Sequence, residues 1–397
     1  MIVKNDKEIS SKKLNFKYVI VYISITICYL LYDNTKILTT YIENFERIQI
    51  SQQTLFVFGL LLLLLAWYTF KQLLQVKVNS YLLKIGMIYI YCLFFATCFN
   101  KNSSDAYVDV VKSIAWVLIL YTGYYIGYRN TLFAGNVIAK WMLSFSLPFI
   151  CLYLIYRYYF HGIISGDAFF NLIVLLPFVL MLNNKLIKRI LIIFFICMII
   201  ISLKRSILLA LVFSLVTYYI VTKKHHVTYK IIISLYVVLL IIVFQLFLSN
   251  VESIPILNRF MSLGDDGGSG RDIIYFNLWT TFLSGSFSQQ FLGNGINSTL
   301  DAIGFYAHND FLQLLLDFGI VGGCLYLLIV RAAILDLRLL AKYKYRYLNC
   351  YGTLCATFSL IFFLSLFNCM IYHAYYLLVM MFCVGLNMGM INRKNVI

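Results

Sequence analysis

Apolar runs of roughly 15–22 residues alternate along the chain with short charged clusters, the pattern of repeated membrane-crossing helices rather than of one large globular core. Runs near spanning length fall at 18–32, 54–70, 82–99, 108–128, 141–159 and 168–182. They resume at 190–203, 207–221, 231–249, 311–330, 348–367 and 374–391. The predicted fold class is therefore all-α: a polytopic integral membrane protein of about 12 transmembrane helices with one long outer, periplasmic loop. Residues 1–397 read as a single membrane domain. The long loop, 250–307, is inserted between the ninth and tenth helices.

Charge sets the expected topology. Lys4, Lys7, Lys12, Lys13 and Lys17 precede the first apolar run without a small-residue cleavage site after Tyr32, so this run reads as a retained signal-anchor helix. With the N-terminus inside, 23 of the 32 Lys and Arg fall on the cytoplasmic side, and both termini are expected there. The stretch 190–221 could be one long helix with Lys204 and Arg205 at its middle. That arrangement would place one of the flanking basic clusters, Lys185-Lys188-Arg189 or Lys223-Lys224-Lys230, outside. A hairpin of two short helices keeps both inside and predicts that Lys204 and Arg205 occupy a turn recessed below the outer surface.

Composition narrows the class further. The chain is 62% apolar and only 12% charged, with three prolines and no Ser, Gly or Gln tract, which excludes a soluble enzyme on a mere anchor. The net charge of +16 does not point to nucleic acid, because the basic residues flank apolar runs instead of following a groove. The ten cysteines lie nearly all inside apolar segments without zinc or redox spacing and read as small apolar residues. No HExxH or Gly-rich phosphate loop is present, and no cofactor or metal is expected.

Three places could carry chemistry. Lys204 and Arg205 would be charges at membrane depth, which marks either a functional site or side chains reaching to lipid headgroups. Arg271 follows the glycine-rich stretch 264–270 and opens a helix over 272–283. Ile274, Tyr275, Leu278, Trp279 and Phe282 recur there at helical spacing, which suits a helix lying in the membrane interface. A guanidinium beside flexible backbone suits a phosphate clamp, or else pairs with Asp265, Asp266 or Asp272. His308 and Asn309 precede the tenth helix, where the positive end of the helix dipole favours the neutral imidazole that a general base requires; the plainer reading is that both cap the helix. Gly319 and Gly323 form a small-xxx-small pair suited to helix packing. His161, His225, His226 and His373 read as interfacial side chains.

His308-Asn309, nine residues, then Gly319-Ile320-Val321-Gly322 resembles the H-[NSQ]-x9-G-x-x-[GTY] signature of the O-antigen ligase and O-antigen polymerase superfamily. The resemblance extends to Gly270-Arg271 opening a loop helix with Trp279, to Phe291-Leu292-Gly293-Asn294-Gly295, and to Arg205 in the short outer turn. It implies a metal-independent glycosyltransferase on the outer face of the bacterial inner membrane, with an undecaprenyl-diphosphate-linked oligosaccharide as donor. On that reading His308 takes the proton of the attacking hydroxyl, while Arg271 and Arg205 hold the departing diphosphate. Lys204, Asn309, Trp279, Tyr275 and either Phe305 or Tyr306 line the substrate, and membrane lipid and a chain-length regulator are partners. Sequence likeness around Gly270–Gly295 and His308 leans toward a polymerase. A ligase transferring the glycan to lipid A-core is the alternative, and a flippase or other transporter a distant third.

Overall fold

A computed structural model describes residues 80–99, 104–129, 132–161, 168–202, 204–222, 267–304, 306–371 and 374–393. The predicted spans 18–32, 54–70 and 231–249 lie outside them, as do Asp265, Asp266, Phe305, the His161 side chain, His225, His226 and His373. The described residues form thirteen helices and no strand. These are α1 (Tyr81–Phe99), α2 (Ser104–Arg129), α3 (Leu132–His161), α4 (Ala168–Ile173), α5 (Leu176–Met181), α6 (Lys185–Ile201) and α7 (Arg205–Thr222). There follow α8 (Gly267–Ser284), α9 (Phe287–Leu292), α10 (Ser298–Ile303), α11 (Asp310–Ala341), α12 (Leu348–Phe367) and α13 (Ala374–Asn392). Among the described residues three stretches are long and apolar enough to cross a membrane, 135–152 within α3, α11 and α12, and shorter apolar helices run over Tyr81–Leu93, Phe169–Met181, Ser206–Thr222 and Tyr376–Asn392. The described elements are all helices, and the apolar ones are those of a membrane protein.

The question of one long helix or a hairpin at 190–221 is decided by a side-chain contact. Lys188 Nζ donates to Tyr218 Oη at 2.9 Å and to Leu180 O at 2.6 Å. In a continuous helix residues 188 and 218 would stand about 45 Å apart. The chain reverses between α6 and α7, with Ser202 and Lys204 at the turn. The hairpin puts Lys188 beside the start of α12, where Tyr218 also reaches Asn349 Oδ1. That end of the bundle is here termed lower, and the end where α12 finishes, upper.

Two predicted spans are not continuous helices. The run 168–182 is split into α4 and α5 because Pro177, in the first turn of α5, has no amide to donate and crowds the carbonyl a turn earlier. Phe169 to Leu182 is buried throughout, so this element is core, not lipid-facing surface. The run 311–330 belongs to α11, which is broken at Gly319.

The closest helix pairing was not anticipated. Gly123 and Gly127 of α2 face Gly385 and Gly389 of α13, four residues apart on each side. A Cβ on Gly127 would sit 2.1 Å from Leu386 O, and one on Gly389 2.1 Å from Tyr124 O. Only hydrogen fits between backbones this close, which is how helices gain contact in lipid. At the lower end Asp336 of α11 is fully buried and caps α1. Its carboxylate accepts from Ser80 Oγ at 2.7 Å and from the amides of Tyr81 and Leu82 at 2.9 Å. Asp336→Ala leaves these donors unsatisfied and is expected to lower stability by about 1–3 kcal/mol, with Asp336→Asn losing less; thermal unfolding of the detergent-solubilised protein measures both. The described cysteines are all free, and Cys350, Cys355, Cys369 and Cys383 are buried.

Candidate functional site

The site is built on the break in α11. Gly319 has φ 64° and ψ −154°, a conformation open in practice only to glycine, and the chain folds back there. The Phe311 and Tyr326 rings lie 5.8 Å apart, and a Cβ on Gly322 would sit 2.0 Å from Leu314 O. An unbroken helix would hold residues 311 and 326 about 22 Å apart. Asp310–Phe318 is thus a half-helix lying antiparallel on the start of the long arm that follows, and only that arm can serve as the span. Gly319 and Gly323, read from sequence as a packing pair, instead serve this reversal.

The half-helix is sealed at both ends. Its terminal carbonyls accept from the loop before α10: Asn294 N donates to Leu316 O and Gly295 N to Asp317 O, each at 3.0 Å. This is the structural work of Phe291-Leu292-Gly293-Asn294-Gly295, where a Cβ on Gly293 would sit 2.1 Å from Asp317 O. At the other end Asn309 is the N-cap. Its Oδ1 accepts from Leu312 N at 3.1 Å, and its Nδ2 donates to Leu366 O at 3.2 Å. Capping therefore belongs to Asn309, while His308 lies outside the helix with φ +50°, in the left-handed region. Asp310, the first residue of the half-helix, is buried and accepts from Ile371 N at 3.1 Å. Asp301 is exposed.

The last turn of α12 is the meeting point. Tyr275 Oη lies 3.3 Å from His308 O and 3.5 Å from Leu366 O, so its one hydrogen is shared between two carbonyls. Burial pushes the Tyr275 phenol up, and Arg271 and Asn309 pull it partly back, which keeps it protonated at neutral pH. The Arg271 guanidinium lies over the Phe367 ring at 5.8 Å. Arg205 opens α7, and its side chain lies outside the described residues. Its backbone level follows from helix register. α7 and α12 pack antiparallel, with Tyr218 on Asn349, Ser214 on Ala356 O and Phe213 on Phe363. Continued by two turns, this register brings residue 205 level with the last turn of α12. Lys204 is half-buried at the α6–α7 turn, its amide donating to Ser202 Oγ at 3.2 Å.

The aromatic candidates divide. Tyr306 is half-buried against the main core. Trp279 is 47% exposed, with its ring 5.7 Å from that of Phe282. It belongs to α8, which includes Gly267–Gly270; Arg271 therefore sits inside a helix rather than after a flexible glycine stretch. Leu278 packs with Ala307 and Leu316, joined by Ile274 and Phe282, while Ile273, Phe276 and Leu283 are exposed on the other side. The described part of the loop thus contains three helices where one was expected.

Gln313 and Asp317 were missed. They are wholly buried on the inner face of the half-helix, and their sequence signal was a polar series at 310, 313 and 317 within an otherwise apolar run.

No curated protein matches the chain. Residues 190–327 match the family model described as O-antigen ligase, a segment running from α6 through the broken half of α11. The match covers about a third of the chain and supports a place in the O-antigen ligase and polymerase superfamily and an activity of that class.

Proposed function

We propose that the chain is a surface-polysaccharide polymerase of the O-antigen type, moving a growing glycan from undecaprenyl diphosphate to the next carrier-linked repeat unit at the periplasmic face of the bacterial inner membrane. A hydroxyl of the acceptor sugar forms the new bond to the anomeric carbon as the bond from that carbon to the phosphate oxygen breaks. His308 accepts the hydroxyl proton. The diphosphate leaves with its electron pair and is held by Arg271 and Arg205, whose planar forks match phosphate oxygens without a metal. Lys204 adds positive charge at the same turn, Trp279 and Tyr306 offer faces for sugars, and Tyr275 and Asn309 place the His308 turn. A chain-length regulator and membrane lipid are the proposed partners.

The observation that carries this reading is the convergence on one helix end: Arg271 on Phe367, and Tyr275 and Asn309 on Leu366. A discontinuous helix also suits transporters, but the buried polar groups of this one are engaged by loop amides and by one another, which favours a fixed scaffold.

The test is the lipopolysaccharide banding of a deletion strain complemented with variants. Core bearing a single repeat unit is expected. Bare core with long carrier-linked chains would identify a ligase, and units trapped facing the cytoplasm a flippase. Arg271→Ala should reduce polymer by roughly 10²–10³-fold with normal membrane insertion. Arg271→Lys should recover little, because a point charge lacks the bidentate fork.

A further inference from the structure

We propose that Gln313 is a positioning residue for His308, with Asp317 as its anchor, a role that rests on the catalytic reading of His308 above. Gln313 is fully buried, and every polar atom of its side chain is engaged. Its Oε1 accepts from the amide of Ala307 at 3.0 Å, one residue before His308. Its Nε2 donates to Asp317 Oδ2 at 2.9 Å, and Thr299 Oγ1 lies 2.8 Å from Nε2 and 3.0 Å from Oε1. Asp317 Oδ1 in turn accepts from Ser298 N at 3.1 Å and Ser298 Oγ at 2.8 Å. One turn of the half-helix thereby grips both ends of the 298–307 segment.

The consequence falls on His308. A left-handed backbone at a residue with a Cβ persists only where its surroundings over-determine it. Its carbonyl is held by Tyr275, the next residue by Leu366, and the amide before it by Gln313. The first two contacts act from the C-terminal side. Gln313 alone among these three fixes the approach from the N-terminal side, and it is bound to a carboxylate that cannot itself move without releasing Ser298.

The arrangement has a built-in control. Gln313→Glu keeps the acceptor for Ala307 but sets a second carboxylate against Asp317; adding Asp317→Asn returns the missing donor and restores the 313–317 hydrogen bond with the two groups exchanged, Thr299 Oγ1 then donating to residue 313. Hydrogen–deuterium exchange of the full-length protein in nanodiscs, without substrate, reads the lock directly. In Gln313→Met and in Gln313→Glu the Ala307 and His308 amides should exchange roughly tenfold faster or more, with protection outside 298–308 little changed and the melting temperature lowered by no more than the broken buried hydrogen bonds account for. The double variant should return to wild type. Polymer formed per folded enzyme should fall in parallel through kcat, not KM, and return with the double variant. Unchanged exchange at Ala307, an increase spread evenly over the bundle, or a double variant no better than Gln313→Glu would overturn the proposal. Because exchange needs no substrate, failure of the catalytic reading shows separately, as unaltered product from His308 variants.

Discussion

His308→Asn is expected to abolish polymer while leaving the abundance and melting temperature of the protein at their original level. The side chain lost is the only imidazole at the meeting point of Arg271, Tyr275 and the half-helix among the described residues. Loss of a positioned general base slows transfer by about 10²–10⁴-fold. Asparagine is chosen because of the backbone: at φ +50° it is among the few residues other than glycine that enter the left-handed region readily. The carbonyl of residue 308 still accepts from Tyr275, and Ala307 N still donates to Gln313. Surface-glycan banding together with thermal unfolding checks both halves. A variant that accumulates normally and still polymerises would remove His308 from the chemistry; one that fails to fold would make it a structural residue.

How far the chain could be read in advance depends on what each element rests upon. The α6–α7 hairpin was legible because the alternative would put a basic cluster outside, and Lys188 of one such cluster bonds across the hairpin to Tyr218. Helix α12 was legible to the residue, since its ends are bounded by the tyrosine-rich basic turn before Leu348 and by Asn368 after Phe367. The half-helix was not. Averaged over 311–330, two buried polar side chains vanish into a strongly apolar run, and a glycine used for a reversal looks the same in sequence as one used for packing. Nor was the Gly123/Gly127 to Gly385/Gly389 seam legible, because its halves lie far apart in the chain and each is an ordinary small-residue pair until the helices are placed together. Among candidate residues, His308 and Arg271 came from a motif. Asn309 came from the same motif, but its geometry is that of a cap that also ties the turn to Leu366. Gln313 and Asp317 needed the fold, since their partners are loop amides that carry no signature.

Gly319→Ala is expected to destabilise the site strongly. Two costs coincide. The backbone at φ 64° and ψ −154° lies where a residue with a Cβ is strained by about 1–3 kcal/mol. The added carbon would also sit 2.5 Å from the Phe291 carbonyl and 2.6 Å from Gln290 O, rigid backbone that can give way only by opening the seal between α9 and the half-helix, a further cost of about 1–3 kcal/mol. Gly304→Ala separates the two. Gly304 has φ +76° and ψ 1°, ordinary left-handed backbone, with no atom within 4 Å of a new Cβ, so that variant bears only the milder strain of that region and no clash. Thermal unfolding should therefore rank wild type, Gly304→Ala and Gly319→Ala in falling order. Surface glycan should persist in Gly304→Ala and be lost in Gly319→Ala, because a displaced half-helix moves Gln313 and with it the backbone before His308. Equal melting temperatures for the two alanine variants would mean that neither the glycine-only backbone at 319 nor the close approach of Phe291 matters, and that the half-helix is held in place by Gln313 and Asp317 without the glycine seal.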